Sequence, residues 1–180
     1  MQTVITYIAG TVLGLGAMIA GFSGIFSKNY SDDLVGSTSL ISVETVNCDS
    51  ESSCDILVIV KDDQGEVLWQ KIVGGSSYDK ASSAIPTFDG GFLVLGSTSS
   101  FGQGNYDILL VKLTNDGEFL WQKTYGGFFN DYAQEITNSA SGNGFLIKGS
   151  KQTCSTPNVS SDCQMSSWEF EIDISGELVG

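Results

Sequence analysis

The stretch "DILVIVKDDQGEVLWQKIVGG" at residues 55–75 returns as "DILLVKLTNDGEFLWQKTYGG" at residues 107–127, an offset of 52 residues from 55 to 107. Each copy has the pattern of a strand, a turn containing Asp and Gly, and a second strand. A weaker third strand follows, and a Gly-rich turn leads from it into a fourth strand. A four-stranded unit of this length is typical of repeat architectures, propeller blades among them.

The repeat pattern predicts two full units, at residues 55–106 and 107–151, and partial units at residues 34–54 and 164–180. The two partial units would build one further, incomplete unit if the chain ends paired with each other. Propellers typically need four or more blades to close. We therefore expect a β-rich head over residues 29–180 with three sheets in a pseudo-threefold or sandwich-like arrangement, and the alternative is an open stack derived from a propeller.

Several residues recur with the repeat. Trp69 and Trp121 occupy equivalent strand positions, where packing in the sheet core is a better explanation than a platform for sugars. Asp79 and Asp131 follow Gly-Gly pairs and are interpreted as caps of turns, because the acidic turns lack the full ligand set of an EF-hand calcium loop. The segment "YGGFFNDY" at residues 125–132 is an exposed aromatic patch in this interpretation, either a subunit contact or a covered corner.

The four cysteines form two close pairs, Cys48 with Cys54 and Cys154 with Cys163, and each pair brackets a polar loop. This spacing favours two local disulfides, although four cysteines permit three connectivities. Metal binding by all four is the alternative, and their loops offer no CxxC spacing for it. Disulfides indicate an oxidising compartment outside the cytosol. The sequons at Asn29 and Asn158 are candidate glycosylation sites.

Charge is distributed unevenly along the chain. Residues 1–27 contain no charged side chain, whereas all 21 acidic and 8 basic residues follow, for a net charge of −13. An acidic head repels phosphate backbones, so nucleic-acid binding is not expected. The chain has no His, which excludes a His-based triad and a His-ligated zinc site. No constellation supports an enzyme, a cofactor or a metal centre, because abundant carboxylates on an acidic protein are usually a solvated face.

Residues 1–28 are interpreted as a long hydrophobic α-helix that serves assembly or anchoring, which makes the expected fold class α+β. Glycine weakens an isolated helix, but small residues let helix backbones approach closely. A helix that bundles with copies of itself is therefore one interpretation, and a lone membrane anchor is the other. The residues expected to pack such a bundle are Gly10, Gly14, Ala17, Gly21 and Gly24.

An apolar N-terminal helix followed by a β-rich head resembles type IV pilin-like filament subunits, especially the archaeal kinds. In that family a basic leader is removed directly before the helix, which would explain why no basic residue precedes Lys28. Bacterial pilins usually carry an acidic residue at the fifth mature position, where this chain has Ile5. The resemblance implies a membrane-inserted precursor and a helical homopolymer.

A second resemblance covers residues 34–180, where "DILLVKLTNDGEFLWQKTYGG" and "FLIKGS" are similar to tandem surface-protein repeats usually found in larger β-propellers. Together the two resemblances predict a structural subunit of an extracellular pilus-like filament, with the helix as its core and the heads outside. The alternative is a membrane-tethered β-repeat module that binds surface glycans or proteins.

Overall fold

The structure is a computed structural model that describes residues 5–8, 39–48, 53–155 and 162–179. Every regular element in this part of the chain is a β-strand, apart from short turns. The strands are β1 (Ile5–Ile8), β2 (Leu40–Val46), β3 (Asp55–Lys61), β4 (Val67–Val73), β5 (Asp79–Pro86), β6 (Phe92–Thr98), β7 (Asp107–Leu113), β8 (Phe119–Tyr125), β9 (Asp131–Asn138), β10 (Phe145–Cys154) and β11 (Cys163–Ile172).

The strands form three antiparallel sheets in chain order. Sheet 1 is β1-β2-β3-β4, sheet 2 is β5-β6-β7-β8, and sheet 3 is β9-β10-β11. Sheet 2 therefore combines the third and fourth strands of the first full sequence unit with the first two strands of the next one. This arrangement links successive units covalently and through hydrogen bonds, as in a propeller blade.

The sheets form an open stack, which was the alternative arrangement. One apolar cluster joins sheets 1 and 2, and a second cluster joins sheets 2 and 3. The described C-terminal residues stay within sheet 3, because β11 pairs with β10 and Leu178 bridges back to Ile172. Pairing between the chain ends is thus not seen in the described part of the chain.

The position of strand β7 between sheets 1 and 3 explains why its sequence is almost continuously apolar. Leu109 and Val111 face sheet 1, whereas Ile108 and Leu110 face sheet 3. Because side chains alternate across a strand, a strand that is covered on both faces has no polar side. All seven residues of β7 are buried.

A buried positive charge lies inside that strand. Lys112 is 1 % exposed and donates hydrogen bonds to Asp89, at 2.6 Å, and to Thr87 in the β5–β6 turn. Burial alone would raise the pKa of Asp89, but the hydrogen bonds from Lys112, Thr87 and the Gly91 amide together lower it. The pairing satisfies a charge that would otherwise be costly to bury.

The two repeated tryptophans, Trp69 and Trp121, connect neighbouring sheets. Trp69 is partly buried against the first cluster and donates from Nε1 to the carbonyl oxygen of Asn115, in the β7–β8 turn, at 2.8 Å. A Cβ on Gly117 would lie 2.9 Å from the Trp69 ring. A Cβ on Gly176, in the turn that follows β11, would likewise lie 2.8 Å from the Trp121 ring. The prediction that both rings pack against the core is confirmed. Each ring also packs against a turn of the neighbouring sheet.

The predicted α+β fold class with a helix over residues 1–28 is wrong. Ile5–Ile8 form strand β1, which pairs antiparallel with β2, and Ile8 lies opposite Leu40. The described residues contain no α-helix, so the described fold is all-β. The segment "VITYI" is rich in β-branched and aromatic residues, which favour strands, and β2 offers an open edge that a fourth strand can pair with. The β-rich head was predicted correctly.

The residues expected to pack the helical bundle lie outside the described residues. They are Gly10, Gly14, Ala17, Gly21 and Gly24. The candidate glycosylation sites Asn29 and Asn158 also lie outside the described ranges. Within those ranges, no helix is long and apolar enough to cross a bilayer.

Candidate binding edge

The stack has two unlike edges. One of them, called the turn edge, carries hairpin turns closed by backbone hydrogen bonds, at residues 62–66, 87–91, 114–118, 139–144 and 173–177. The opposite edge, called the loop edge, carries the connections at residues 74–78, 99–106 and 126–130 and the described residues beside both cysteine pairs, at 47–48, 53–54, 155 and 162. Loops on a rigid scaffold are the usual place for binding residues.

Both disulfides lie at the loop edge. Cys48 bonds Cys54 and Cys154 bonds Cys163, so the predicted local pairing is confirmed. The second bond joins directly opposed residues of β10 and β11. Asp162 lies beside this pair, and these three side chains form the one group in the described chain close enough to share a metal ion. Because both sulfurs are in a disulfide, they are not thiolate ligands.

The repeated aspartates cap the Gly-Gly loops, as predicted. Asp79 Oδ2 accepts hydrogen bonds from the Gly75 amide and the Ser100 hydroxyl, both at 2.7 Å. Asp131 Oδ2 accepts from the Gly127 amide at 2.8 Å. Both aspartates are at most 1 % exposed. The short carboxylate reaches an amide four residues earlier, which holds each loop in one conformation.

A second set of aspartates faces the caps. A Cβ on Gly126 would lie 1.9 Å from Asp107 Oδ1 and 2.6 Å from Asp131 Oδ2, so two carboxylates converge on this glycine. A Cβ on the equivalent Gly74 would lie 2.6 Å from Asp55 Oδ1 and 2.9 Å from Asp79 Oδ2. Sequence reasoning missed Asp55 and Asp107, although both begin the repeated "DIL" segment.

The pair between sheets 2 and 3 is deeply buried. Asp107 is 2 % exposed, and its Oδ2 accepts from the amides of Gln103 and Gly104 at 2.8 and 3.1 Å. Asp131 Oδ1 is buried with no hydrogen-bond partner among the described residues. Burial first, and then the Asp107 carboxylate, raises the pKa of Asp131. A raised pKa is the expected result when two carboxylates share a poorly solvated site.

Three tyrosines, each next in sequence to Asp79, Asp107 or Asp131, form a row of contacting rings across the loop edge. The ring centroids of Tyr78 and Tyr106 are 6.4 Å apart in an edge-to-face contact, and those of Tyr106 and Tyr132 are 5.3 Å apart. Burial, with the neighbouring tyrosines and Asp79, raises the pKa of Tyr106, so its hydroxyl stays protonated at neutral pH. We call Tyr78, Tyr106 and Tyr132 the tyrosine row.

The exposed aromatic patch predicted at residues 125–132 is present in part. Phe128 is 80 % exposed, and Tyr132 joins the tyrosine row. The prediction missed Tyr78 and Tyr106, which come from two other loops. A signal was available, because both precede an aspartate of the acid pairs in the dipeptide "YD" at residues 78–79 and 106–107.

This edge therefore offers aromatic faces, phenol hydroxyls and a backbone held by hydrogen bonds. These groups suit the binding of a ligand with apolar faces and hydroxyl groups. No protein-family model matches the chain. None of the curated protein sequences compared with it gives a match. The resemblances to pilin-like subunits and to propeller-type surface repeats stay predictions.

Proposed function

We propose that this chain is a non-enzymatic, extracellular surface protein that binds neutral polysaccharide at the loop edge. The observation that carries the proposal is the tyrosine row, which combines two loop residues, Tyr78 and Tyr106, with Tyr132 in strand β9 of sheet 3. Tyr78 is 38 % exposed and Tyr106 and Tyr132 are half-buried, so the row has a face that a ligand can reach.

Sugar rings present apolar C–H faces that stack on aromatic side chains, and their hydroxyls bond to phenols and amides. The net charge of −13 repels uronic-acid and sulfated polymers at low ionic strength. Neutral chains such as mannans and glucans are therefore the favoured class.

Rigidity at this edge supports the same proposal. The Asp79 amide donates to the Cys54 carbonyl at 2.8 Å, so the first disulfide loop is tied to the start of β5 beside Tyr78. The Asp131 amide donates to the Tyr106 carbonyl at 2.7 Å at the equivalent place. A site held in its binding conformation loses less entropy when it binds.

Electrophoresis of the full chain in native gels that contain mannan or β-glucan tests this function. We expect the polysaccharide to retard the wild-type chain, and Tyr78→Ala to weaken that retardation about fivefold or more, since a stacking contact contributes on the order of 1 kcal/mol. Phe119→Ala is the matched control, because Phe119 is 50 % exposed but lies at the turn edge. No retardation by either polymer, or equal retardation of both variants, would contradict the proposal.

The apolar N-terminal segment supports location at the cell surface. Ile8 and Leu40 are neighbours in sheet 1, so the two described residues that flank this segment most closely in the sheet lie side by side. A segment that crosses a membrane once leaves its flanks on opposite sides. In our proposal residues 9–27 therefore attach the protein to a surface with both flanks on the same side.

A filament subunit is the second candidate. The uncharged residues 1–27 and the resemblance to type IV pilin-like subunits favour it. The helix predicted over residues 1–28 is wrong. In a filament, the uncharged segment would therefore have to assemble in another form. Electron microscopy of material sheared from the cell surface separates the candidates. Long particles that contain this chain favour the filament, and their absence favours the binding module.

A further inference from the structure

The outward face of sheet 1, which we call the first end face, is the side of β2, β3 and β4 that points away from sheet 2. Ile41 and Val43 of β2 and Val58 of β3 pack against sheet 2, so the alternate residues lie on the end face. Its large apolar residues are Leu40, Leu57, Ile59, Leu68 and Ile72.

No other sheet among the described residues packs on this face. By contrast, sheet 1 covers one face of sheet 2, and sheet 2 covers the inner face of sheet 3. Leu109 and Val111 of sheet 2, the counterparts of Leu57 and Ile59, are 1 % exposed because sheet 1 packs on them. Leu57 and Ile59 themselves are half-buried. The turn glycine of sheet 1, Gly65, has no atom within 4 Å of an added Cβ, whereas Gly117 and Gly176 each meet a tryptophan.

A second copy stacked head to tail would have to place sheet 3 on the first end face. The outward face of sheet 3 is unsuited to that contact. Lys148 and Glu169 are paired opposite each other on it, and Lys148 also lies 3.6 Å from Glu135. Burying these charges against leucine and isoleucine is strongly unfavourable. The repeat therefore does not continue from one copy to the next.

The first end face is instead complementary to itself. Glu44 lies opposite Leu57 at the end of the face near the loop edge, and Lys61 lies opposite Leu40 at the other end. Neither side chain forms an ion pair with another described residue. A two-fold axis that runs across the strands, in the plane between two such faces, reverses the strand direction of the second copy. It therefore places the Glu44 end of each copy over the Lys61 end of the other.

We propose that the first end face packs on the same face of a second copy of this chain and forms a two-fold symmetric dimer. Isologous contacts of this kind close after two subunits, and an apolar centre with charges at its rim is typical of them. The two ion pairs at the ends fix the relative direction of the sheets.

Light scattering coupled to size exclusion, on the full chain at about 100 μM, tests the dimer. The wild type should be dimeric. Glu44→Lys and Lys61→Glu should each raise the dissociation constant on the order of tenfold or more, because like charges then face each other at both ends. The double variant Glu44→Lys/Lys61→Glu should restore the wild-type value, since opposite charges meet again.

Glu169→Lys, on the outward face of sheet 3, is the matched control and should leave the dimer unchanged. Leu57→Glu should give a monomer. A monomeric wild type overturns the proposal and would assign the cover of this face to the chain's own residues 9–38. Failure of the double variant to restore association also overturns it, and this arm uses two half-buried residues that lie outside the apolar cluster between sheets 1 and 2.

Discussion

Sheets 1 and 3 close the two ends of the same stack, yet their outward faces differ. The fourth strand of the second unit, "FLIKGS", has Lys148 where "FLVLGS" has Leu95, and the following strand has Glu169 where sheet 2 has Leu110. On sheet 1 the outward residues Leu57 and Ile59 stay apolar, like their counterparts inside the stack. Sheet 3 thus ends the stack by polar substitution, and sheet 1 does not.

The difference shows how little separates a terminal repeat from an internal one. Terminal repeats of stacked proteins need a polar outer face, because no neighbour covers it. Two substitutions on adjacent strands provide that face for sheet 3. The corresponding strands of sheets 2 and 3 have the same antiparallel backbone pairing. The side chains therefore decide whether a further layer can be added.

Exchanging the residue types at the equivalent positions should break this comparison most severely. Leu95→Lys would bury an ammonium group between sheets 2 and 3, where Leu95 has no exposed surface. We expect a loss of about 4 kcal/mol or more in the free energy of unfolding, enough to unfold a domain of ordinary stability. Urea unfolding followed by tryptophan fluorescence measures the loss.

The reciprocal change is its control. Lys148→Leu removes an exposed ion pair with Glu135 and should change the free energy of unfolding by less than about 0.5 kcal/mol. Similar costs for the two changes would contradict the assignment of Leu95 to an interior face and Lys148 to an end face.

The turn glycines provide a matched pair with a smaller effect. Gly65 and Gly117 occupy equivalent turns with φ of 86° and 80°, so alanine is strained to a similar extent in both. At Gly117 the new methyl would also meet Trp69 at 2.9 Å. Gly117→Ala should therefore destabilise by about 1 to 3 kcal/mol more than Gly65→Ala. Equal thermal shifts for both variants would show that Trp69 does not close the junction between sheets 1 and 2.

The acid pair beside sheet 3 provides the smallest expected effect. Because the pKa of Asp131 is raised in the folded state, protonation favours folding, and this stability is lost as the pH rises above the ordinary value of 3.8. Asp131→Asn keeps an acceptor for Gly127 and removes one of the two carboxylates that converge on Gly126. We expect the Asn variant to be the more stable protein at pH 7, with a margin that shrinks towards pH 4.

Urea titrations at several pH values measure that margin. Glu135→Gln, an exposed change in the same strand, is the control for the general effect of removing one negative charge. A margin that stays constant with pH, or one that the control reproduces, would show that Asp131 is not held beside a second buried carboxylate.

Much of the strand pattern could be predicted from local sequence. Alternating apolar residues, Asp-Gly turns and the 52-residue offset locate β3 to β8, and the close cysteine pairs identify both disulfides. Asp79 and Asp131 were also identifiable, since a cap bonds to a loop only four residues away. These features depend on interactions within a few residues, which the order of residue types specifies directly.

Contacts between distant segments account for what could not be read in this way. Residues 5–8 belong to a long apolar run, but they form a strand because β2 offers an edge 32 residues away, from Ile8 to Leu40. The tyrosine row joins three segments, and its spacing depends on how sheets 2 and 3 pack. Whether the face of Leu57 is left open and the face of Leu109 is covered depends on stacking order, because both residues end the repeated segment "DIL" and differ in which sheet lies beside them.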